Sequence, residues 1–272
     1  MTDNNAVLRS FGLENQVALV TGSCGYLGQK MAEALCEAGA HVILNGRNEE
    51  KVYAQYELLK SKKFNVSHCV ADITDFEQIR AQLLPRLTQH EKLDILVNNA
   101  YSGRPSSLED SVLKEFSQAY HVSVEASYHL IDLCLPYLKE ATLNLTKSAS
   151  VINIGSMYGV VSPNPEIYGD SGMNNPPFYG AAKAGLIQLS KYLACHLAPF
   201  NIRVNSLSPG PFPPKTVNTD NPEFYQSLCH KVPLKRAGKA EEIKGPLLFL
   251  ASNASSYVTG TNLIVDGGWT AW

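Results

Sequence analysis

The chain reads as an α/β fold: a doubly wound, mostly parallel sheet of about seven strands with helices on both faces. Three observations predict it. Short apolar runs recur at 17–20, 41–45, 66–71, 93–100, 151–156, 202–208 and 262–268. Several of the segments between them carry apolar residues at helical spacing, which marks amphipathic helices. The first run also breaks into three evenly spaced glycines, Gly22, Gly25 and Gly28, before a helical pattern begins. Strands that alternate with helices return in the same direction each time, and this builds parallel sheet. With 272 residues and no Ser/Gly-rich tract, charge block or repeat, the chain reads as one domain over 1–272.

The first strand, Val17 to Val20, leads into the glycine turn and a helix with Leu27, Met31, Ala34, Leu35 and Ala38 on one face. A strand, a glycine turn and a helix in that order form the opening half of a nucleotide-binding βαβ unit. The glycines let the backbone turn tightly and approach a pyrophosphate, whose charge sits over the helix N-terminus. The turn residues Gly22, Ser23, Gly25, Tyr26, Leu27 and Gly28 are therefore candidate cofactor contacts.

The second strand ends in Gly46-Arg47-Asn48. NAD enzymes of this architecture place an acid there for the ribose 2′-hydroxyl. Here the acid is missing and Arg47 stands at the turn, which suits a 2′-phosphate and predicts NADP(H), with NAD(H) as the alternative. A charged helix spans roughly 48–62. The third strand, Val66 to Ala71, ends in Asp72, and Thr74-Asp-Phe-Glu77 reads as a capping box for a helix with Phe76, Ile79, Leu83 and Leu87 inward.

The fourth strand, 93–100, ends in Asn98-Asn99-Ala100, at the edge where an open parallel sheet binds ligands. One long helical region is expected over 107–140. The fifth strand ends in Ser156. A loop at 157–178 follows, rich in turn residues (Pro163, Pro165, Gly169, Gly172, Pro176, Pro177), and its length predicts a shaped substrate loop. The helix from Phe178 to Ala198 carries Tyr179 and Lys183 four residues apart, on the same face. The sixth strand closes on Pro209-Gly210, and a last strand on Asp266-Gly267-Gly268.

Composition excludes several alternatives. A net charge of -2 gives no reason to expect nucleic acid or an anionic membrane as partner. The polar start lacks a signal-peptide pattern, and no apolar run is long enough to span a bilayer, so a cytoplasmic location is expected. Six scattered cysteines without a C-x-x-C pair argue against zinc and against a disulfide framework, and the seven histidines show no ligand spacing. Cys24, in the glycine turn near a helix start, is a candidate reactive thiol.

Taken together, the Thr21-Gly22 turn, Asp72, Asn98-Asn99-Ala100, Ser156, Tyr179-x-x-x-Lys183, Pro209-Gly210 and Asp266-Gly267-Gly268 resemble the short-chain dehydrogenase/reductase family over about 15–272. The resemblance implies a Rossmann-like fold and hydride transfer between NADP(H) or NAD(H) and a hydroxyl or carbonyl. It implies Tyr179 as acid/base, Lys183 as partner of the phenolate and of the nicotinamide ribose, and Ser156 as hydrogen-bond donor to the substrate oxygen. It places Asp72 and Ile73 near the adenine, and Asn99, Ala100, Pro209 and Gly210 along the cofactor. A homotetramer is implied as well, and the aromatic tail with Trp269 and Trp272 agrees with it.

Two departures stand out. The glycines follow T-G-x-x-G-x-x-G where single-domain members have T-G-x-x-x-G-x-G, a spacing that resembles the extended branch of sugar-nucleotide epimerases and dehydratases. The family's catalytic asparagine falls by spacing on Ser123. The first departure leaves open a sugar epimerase or dehydratase with tightly bound NAD, and the second a non-catalytic dinucleotide-binding sensor or scaffold. The tail and the Tyr158-Gly159 and Tyr168-Gly169 loop resemble a bacterial flagellin-modification or carbohydrate-type subgroup, which tilts the small-molecule substrate toward a sugar or polyol.

Overall fold

Seven strands lie side by side in one sheet, and every neighbouring pair is parallel. The computed structural model describes residues 5–104, 106–143, 148–169 and 174–272. The strands are β1 (Val17–Val20), β2 (His41–Gly46), β3 (Val66–Val70), β4 (Ile95–Asn98), β5 (Ala149–Ile154), β6 (Ile202–Pro209) and β7 (Asn262–Val265). Their order is β3-β2-β1-β4-β5-β6-β7. The chain winds outward in one direction from β1 and in the other from β4. The connections leaving those two strands diverge, which opens a crevice at their carboxyl ends.

The helices are α1 (Ala6–Arg9), α2 (Tyr26–Glu37), α3 (Glu49–Ser61), α4 (Phe76–His90), α5 (Leu113–Tyr120), α6 (Ala126–Glu140), α7 (Pro177–Leu197), α8 (Lys215–Asp220), α9 (Pro222–Lys231) and α10 (Lys244–Ala251). Successive strand residues point to opposite faces, so each central strand feeds two cores. On one face Leu19, Ile43, Leu96 and Val151 pack with Ile79 and Leu83 of α4, Leu130 of α6 and Leu193 of α7. On the other, Ala18, Val20, Val42 and Val97 pack with Met31 and Leu35 of α2 and Leu247 of α10. Strands buried on both faces read as continuous apolar runs, which is how they appear in the sequence. Among the described residues no helix is long and apolar enough to cross a membrane.

Three local expectations are corrected. The cap of α4 is Asp75, whose carboxylate accepts the Gln78 amide at 2.9 Å, whereas Thr74 turns back to Asp72. The helical region expected over 107–140 starts only at Leu113 and is split by a π turn at His121–Glu125. A π turn adds a residue to the turn without needing glycine or proline, so composition gives no sign of it. The last strand stops at Val265, because Asp266 instead caps the following turn, accepting the Gly268 and Thr270 amides at 2.8 Å each. Gly172 of the expected substrate loop lies outside the described residues.

Candidate active site

The glycine turn is held by Asn99 and Ala100, which follow β4. The Asn99 side-chain amide donates to the carbonyls of Thr21 (2.9 Å) and Gly22 (3.1 Å), and the Thr21 hydroxyl accepts the amides of Asn99 (2.9 Å) and Ala100 (3.1 Å). Gly22 adopts φ +60°, a left-handed conformation that favours glycine. A Cβ on Gly28 would collide with the Gly22 carbonyl oxygen, so helix and turn approach as closely as backbone allows. The cap of α2 is Gly25, which has no side chain to satisfy the first-turn amides, and those amides are left for a ligand.

A cavity of about 430 Å³ opens in front of this turn. Gly22, Gly25, Tyr26, Leu27, Gly28, Arg47, Asp72, Ile73, Asn99 and Ala100, all named from sequence, line it. Arg47 stands at its outer end, 3.7 Å from the Asp72 carboxylate. Burial works against the charged form of Asp72, yet hydrogen bonds from the Thr74 amide and hydroxyl, with Arg47 beside it, hold its carboxyl below the usual range. Lys51 adds a second cation to the same wall. Ser23 is turned away: its hydroxyl donates to Gln55 Oε1 at 2.8 Å and its amide to the Asn45 carbonyl at 2.9 Å, so it pins the turn from behind. Cys24 lines the cavity, but burial pushes its thiol up, opposite to what a reactive cysteine needs.

A second cavity of about 220 Å³ shares Leu27, Asn99 and Tyr101 with the first, and Ser156, Tyr179, Lys183, Pro209 and Gly210 also line it. Ser156 follows β5 and caps a single turn at Met157–Gly159, its hydroxyl accepting the Tyr158 amide at 3.1 Å. Tyr179 and Lys183 project from the first turns of α7. The Lys183 ammonium is fully buried and donates to the Ile154 carbonyl at 2.7 Å. Burial pulls it down from its usual range to about 8. Burial also pushes the Tyr179 phenol up, while a hydrogen bond with Ser156 pulls the other way. A phenol that burial keeps neutral thus stands beside a lysine whose charged form burial disfavours.

Ser123 lies in the π turn, 1% exposed, its hydroxyl without a partner among the described residues and its carbonyl accepting Ser127 Oγ at 2.8 Å. It lines neither cavity, whereas its neighbour Val122 lines the first. Asn98 reaches across the sheet, donating to Asn153 Oδ1 at 2.8 Å, and Asn153 donates to Ser190 Oγ at 2.9 Å. This buried polar chain ties β4, β5 and α7 together. Sequence reasoning missed Lys51 and Tyr101. Lys51 sits one helical turn beyond Arg47, and Tyr101 directly follows Asn98-Asn99-Ala100, so proximity to a named motif was the available signal for both.

The two joined cavities fit an extended dinucleotide: an uncapped helix start and close backbone approach at one end, cations beyond it, and an acid with a lysine at the other. Residues 25–270 match a family model described as enoyl-(acyl carrier protein) reductase. The NADH-dependent L-xylulose reductase of Ambrosiozyma monospora is 32% identical over 288 residues, covering 100% of this chain and 100% of that protein. Among solved structures, the Pseudomonas aeruginosa RhlG/NADP active-site complex aligns with TM-score 0.86 at 31% identity, covering 96% of this chain and 99% of that one. A gluconate 5-dehydrogenase from Burkholderia cenocepacia in complex with NADP and tartrate aligns with TM-score 0.84 at 29% identity, covering 97% and 99%. With a family match over nearly its whole length and relatives that are reductases and dehydrogenases, the chain belongs to the short-chain dehydrogenase/reductase family of NAD(P)-dependent oxidoreductases.

Proposed function

We propose that the chain interconverts a carbonyl and a hydroxyl on a small substrate, a sugar or polyol in the leading case, with Tyr179 as acid/base and NADP(H) preferred over NAD(H). The observation that carries this reading is the convergence of Ser156, Tyr179 and Lys183 on a cavity contiguous with the dinucleotide cavity. A nicotinamide dinucleotide held here would supply or accept the hydride. The glycine turn and the start of α2 would hold its pyrophosphate, and Arg47 and Lys51 its adenosine end. Lys183 would bind the nicotinamide ribose. Tyr179, kept neutral by burial, donates its phenolic proton to the carbonyl oxygen in reduction and recovers it from the hydroxyl in oxidation. The Ser156 hydroxyl donates to the same oxygen as negative charge builds on it.

The substrate class is supported by the relatives named for L-xylulose and gluconate chemistry, and the NADP(H) preference by Arg47 just after β2 and Lys51 on α3. A panel of sugars, polyols and small ketones, scored by absorbance of the reduced dinucleotide with each cofactor, tests both. Turnover of keto sugars or polyols with a several-fold higher kcat/KM for NADP(H) is the expected result; turnover of simple ketones alone, or equal use of both cofactors, counts against it. A homotetramer is part of the same proposal. The Trp269 ring is already buried against Tyr158 of its own chain, so of the two tail tryptophans Trp272 is the exposed one. Light scattering at micromolar concentration reads the outcome directly, and a monomer would overturn it.

A further inference from the structure

Tyr101 stands where the two cavities meet and touches the groups at the centre of the proposed chemistry. Its ring lies edge-on to the Tyr179 ring, centroids 4.9 Å apart and planes at 72°. The Lys183 ammonium sits 5.3 Å from the Tyr101 ring centroid and 5.9 Å from that of Tyr179. Edge-to-face pairs of this kind hold each other's orientation, and a cation over an aromatic face is stabilised by the ring quadrupole. The Tyr101 hydroxyl, by contrast, is buried with no hydrogen-bond partner among the described residues and is tucked beneath Gly103, where a Cβ would collide with it. The loop above is pinned by Arg104, whose guanidinium donates to Glu115 at 2.8 Å.

We propose that Tyr101 is a positioning residue whose ring, and not its hydroxyl, sets the Tyr179 ring and shields the Lys183 ammonium from water on the β4 side. This rests on the reading of Tyr179 as the acid/base. With the ring present, Tyr179 has one packed orientation toward Ser156. Without it, water from the dinucleotide side reaches both the phenol and the ammonium. The titratable groups that face Tyr101 are Tyr179 and Lys183 of α7 and Glu115 of α5.

The test compares Tyr101→Ala and Tyr101→Phe in the full chain by kcat, by the pH profile of carbonyl reduction and by tyrosinate absorbance titration. Each titration is differenced against the same protein carrying Tyr179→Phe, so that it reads Tyr179 alone. Tyr101→Ala is expected to lower kcat about ten-fold and to move the Tyr179 midpoint down by about one pH unit as water relieves its desolvation. Tyr101→Phe is expected to recover at least half of the lost kcat and the parental midpoint. Loss with Tyr101→Phe equal to that with Tyr101→Ala would assign the effect to the hydroxyl and overturn the inference, and so would a parental Tyr179 midpoint in Tyr101→Ala. Should Tyr101→Ala fail to fold, Tyr101→Phe alone decides, since the inference requires it to keep both kcat and midpoint. Tyr179→Phe measured alongside separates the two readings: retained turnover there sinks the acid/base assignment, while the titration still reports on Tyr101.

Discussion

The Arg47 guanidinium lies 3.7 Å from the Asp72 carboxylate and bridges the carboxyl ends of β2 and β3 at the mouth of the dinucleotide cavity. The arginine is 66% exposed, so this is a loose pair in water, worth little to stability. On the proposed reading its value is to hold a fork of donors for the adenosine ribose of a dinucleotide. Arg47→Ala is expected to lower kcat/KM for NADP(H) by about ten- to a hundred-fold, the usual worth of a charge-assisted hydrogen bond, and to change NAD(H) by less than about three-fold. Parallel losses with the two cofactors would show that Arg47 does not read the 2′-phosphate.

Lys183 predicts the pH dependence. In the folded chain burial lowers this lysine to about 8, below its ordinary 10.5, and the Tyr179 phenol is raised above its ordinary 10. With Tyr179 as the proposed acid and Lys183 as its partner, carbonyl reduction needs both groups protonated. The free enzyme's kcat/KM for reduction should therefore be level on the acidic side and fall as pH rises through about 8, with lysine losing its proton first. The same depression means that folding favours the neutral lysine, so Lys183 contributes stability at high pH that is lost as pH falls from 10.5 through about 8. Lys183→Met should remove that trend from a series of thermal melts and also weaken dinucleotide binding. A rate profile flat across pH 8 would separate Lys183 from the reaction.

Gly28 predicts a binding defect without a folding defect. A Cβ there meets the Gly22 carbonyl and comes within 2.8 Å of Asn99 Nδ2. The turn has to move off β4 to make room, which disturbs the surface that faces a pyrophosphate. Gly28→Ala should raise the dinucleotide Kd by about ten-fold or more while the circular dichroism spectrum stays parental, a loss of roughly 1.4 kcal/mol or more of binding. Unchanged affinity would mean that the pyrophosphate does not lie against this turn.

Much of this was legible in the sequence, for identifiable reasons. The central strands are buried on both faces, so Ala18, Leu19 and Val20 or Ile95, Leu96 and Val97 stand out as unbroken apolar runs. Tyr179 and Lys183 share a helix face by spacing alone. What was hidden depends on contacts between distant segments. Ser23 sits inside the turn motif, but its direction is set by Gln55 on α3, 32 residues away. Thr74 and Asp75 are both good caps, and the choice fell to Asp75 because Asp72 engages the Thr74 hydroxyl at 2.7 Å. Tyr101 belongs to no motif, and its place against Tyr179 and Lys183 arises only when β4 and α7 are brought together.

Ser123 is the position where sequence and structure leave the sharpest question. Its hydroxyl is buried without a partner among the described residues, a costly arrangement for a polar group. Ser123→Asn restores the residue that the family resemblance implies and puts two side-chain polar atoms in the π turn in place of one. If Ser123 only partly replaces an asparagine, the variant should keep or raise kcat and leave cofactor affinity within about two-fold. A fall in kcat of about ten-fold or more, with the fold intact, would mean that this chain has been built around the smaller side chain.

The central claim is that Tyr179 moves the proton. Tyr179→Phe keeps the ring, its packing against Tyr101 and its place in the cavity, and removes only the phenolic hydroxyl. Turnover measured on a substrate that the parent enzyme reduces, together with dinucleotide affinity, separates chemistry from binding. The expected result is a fall in kcat of about 10²- to 10⁴-fold, the usual share of general acid–base catalysis, with the dinucleotide Kd within a few-fold of the parent. Full turnover by Tyr179→Phe would contradict the account.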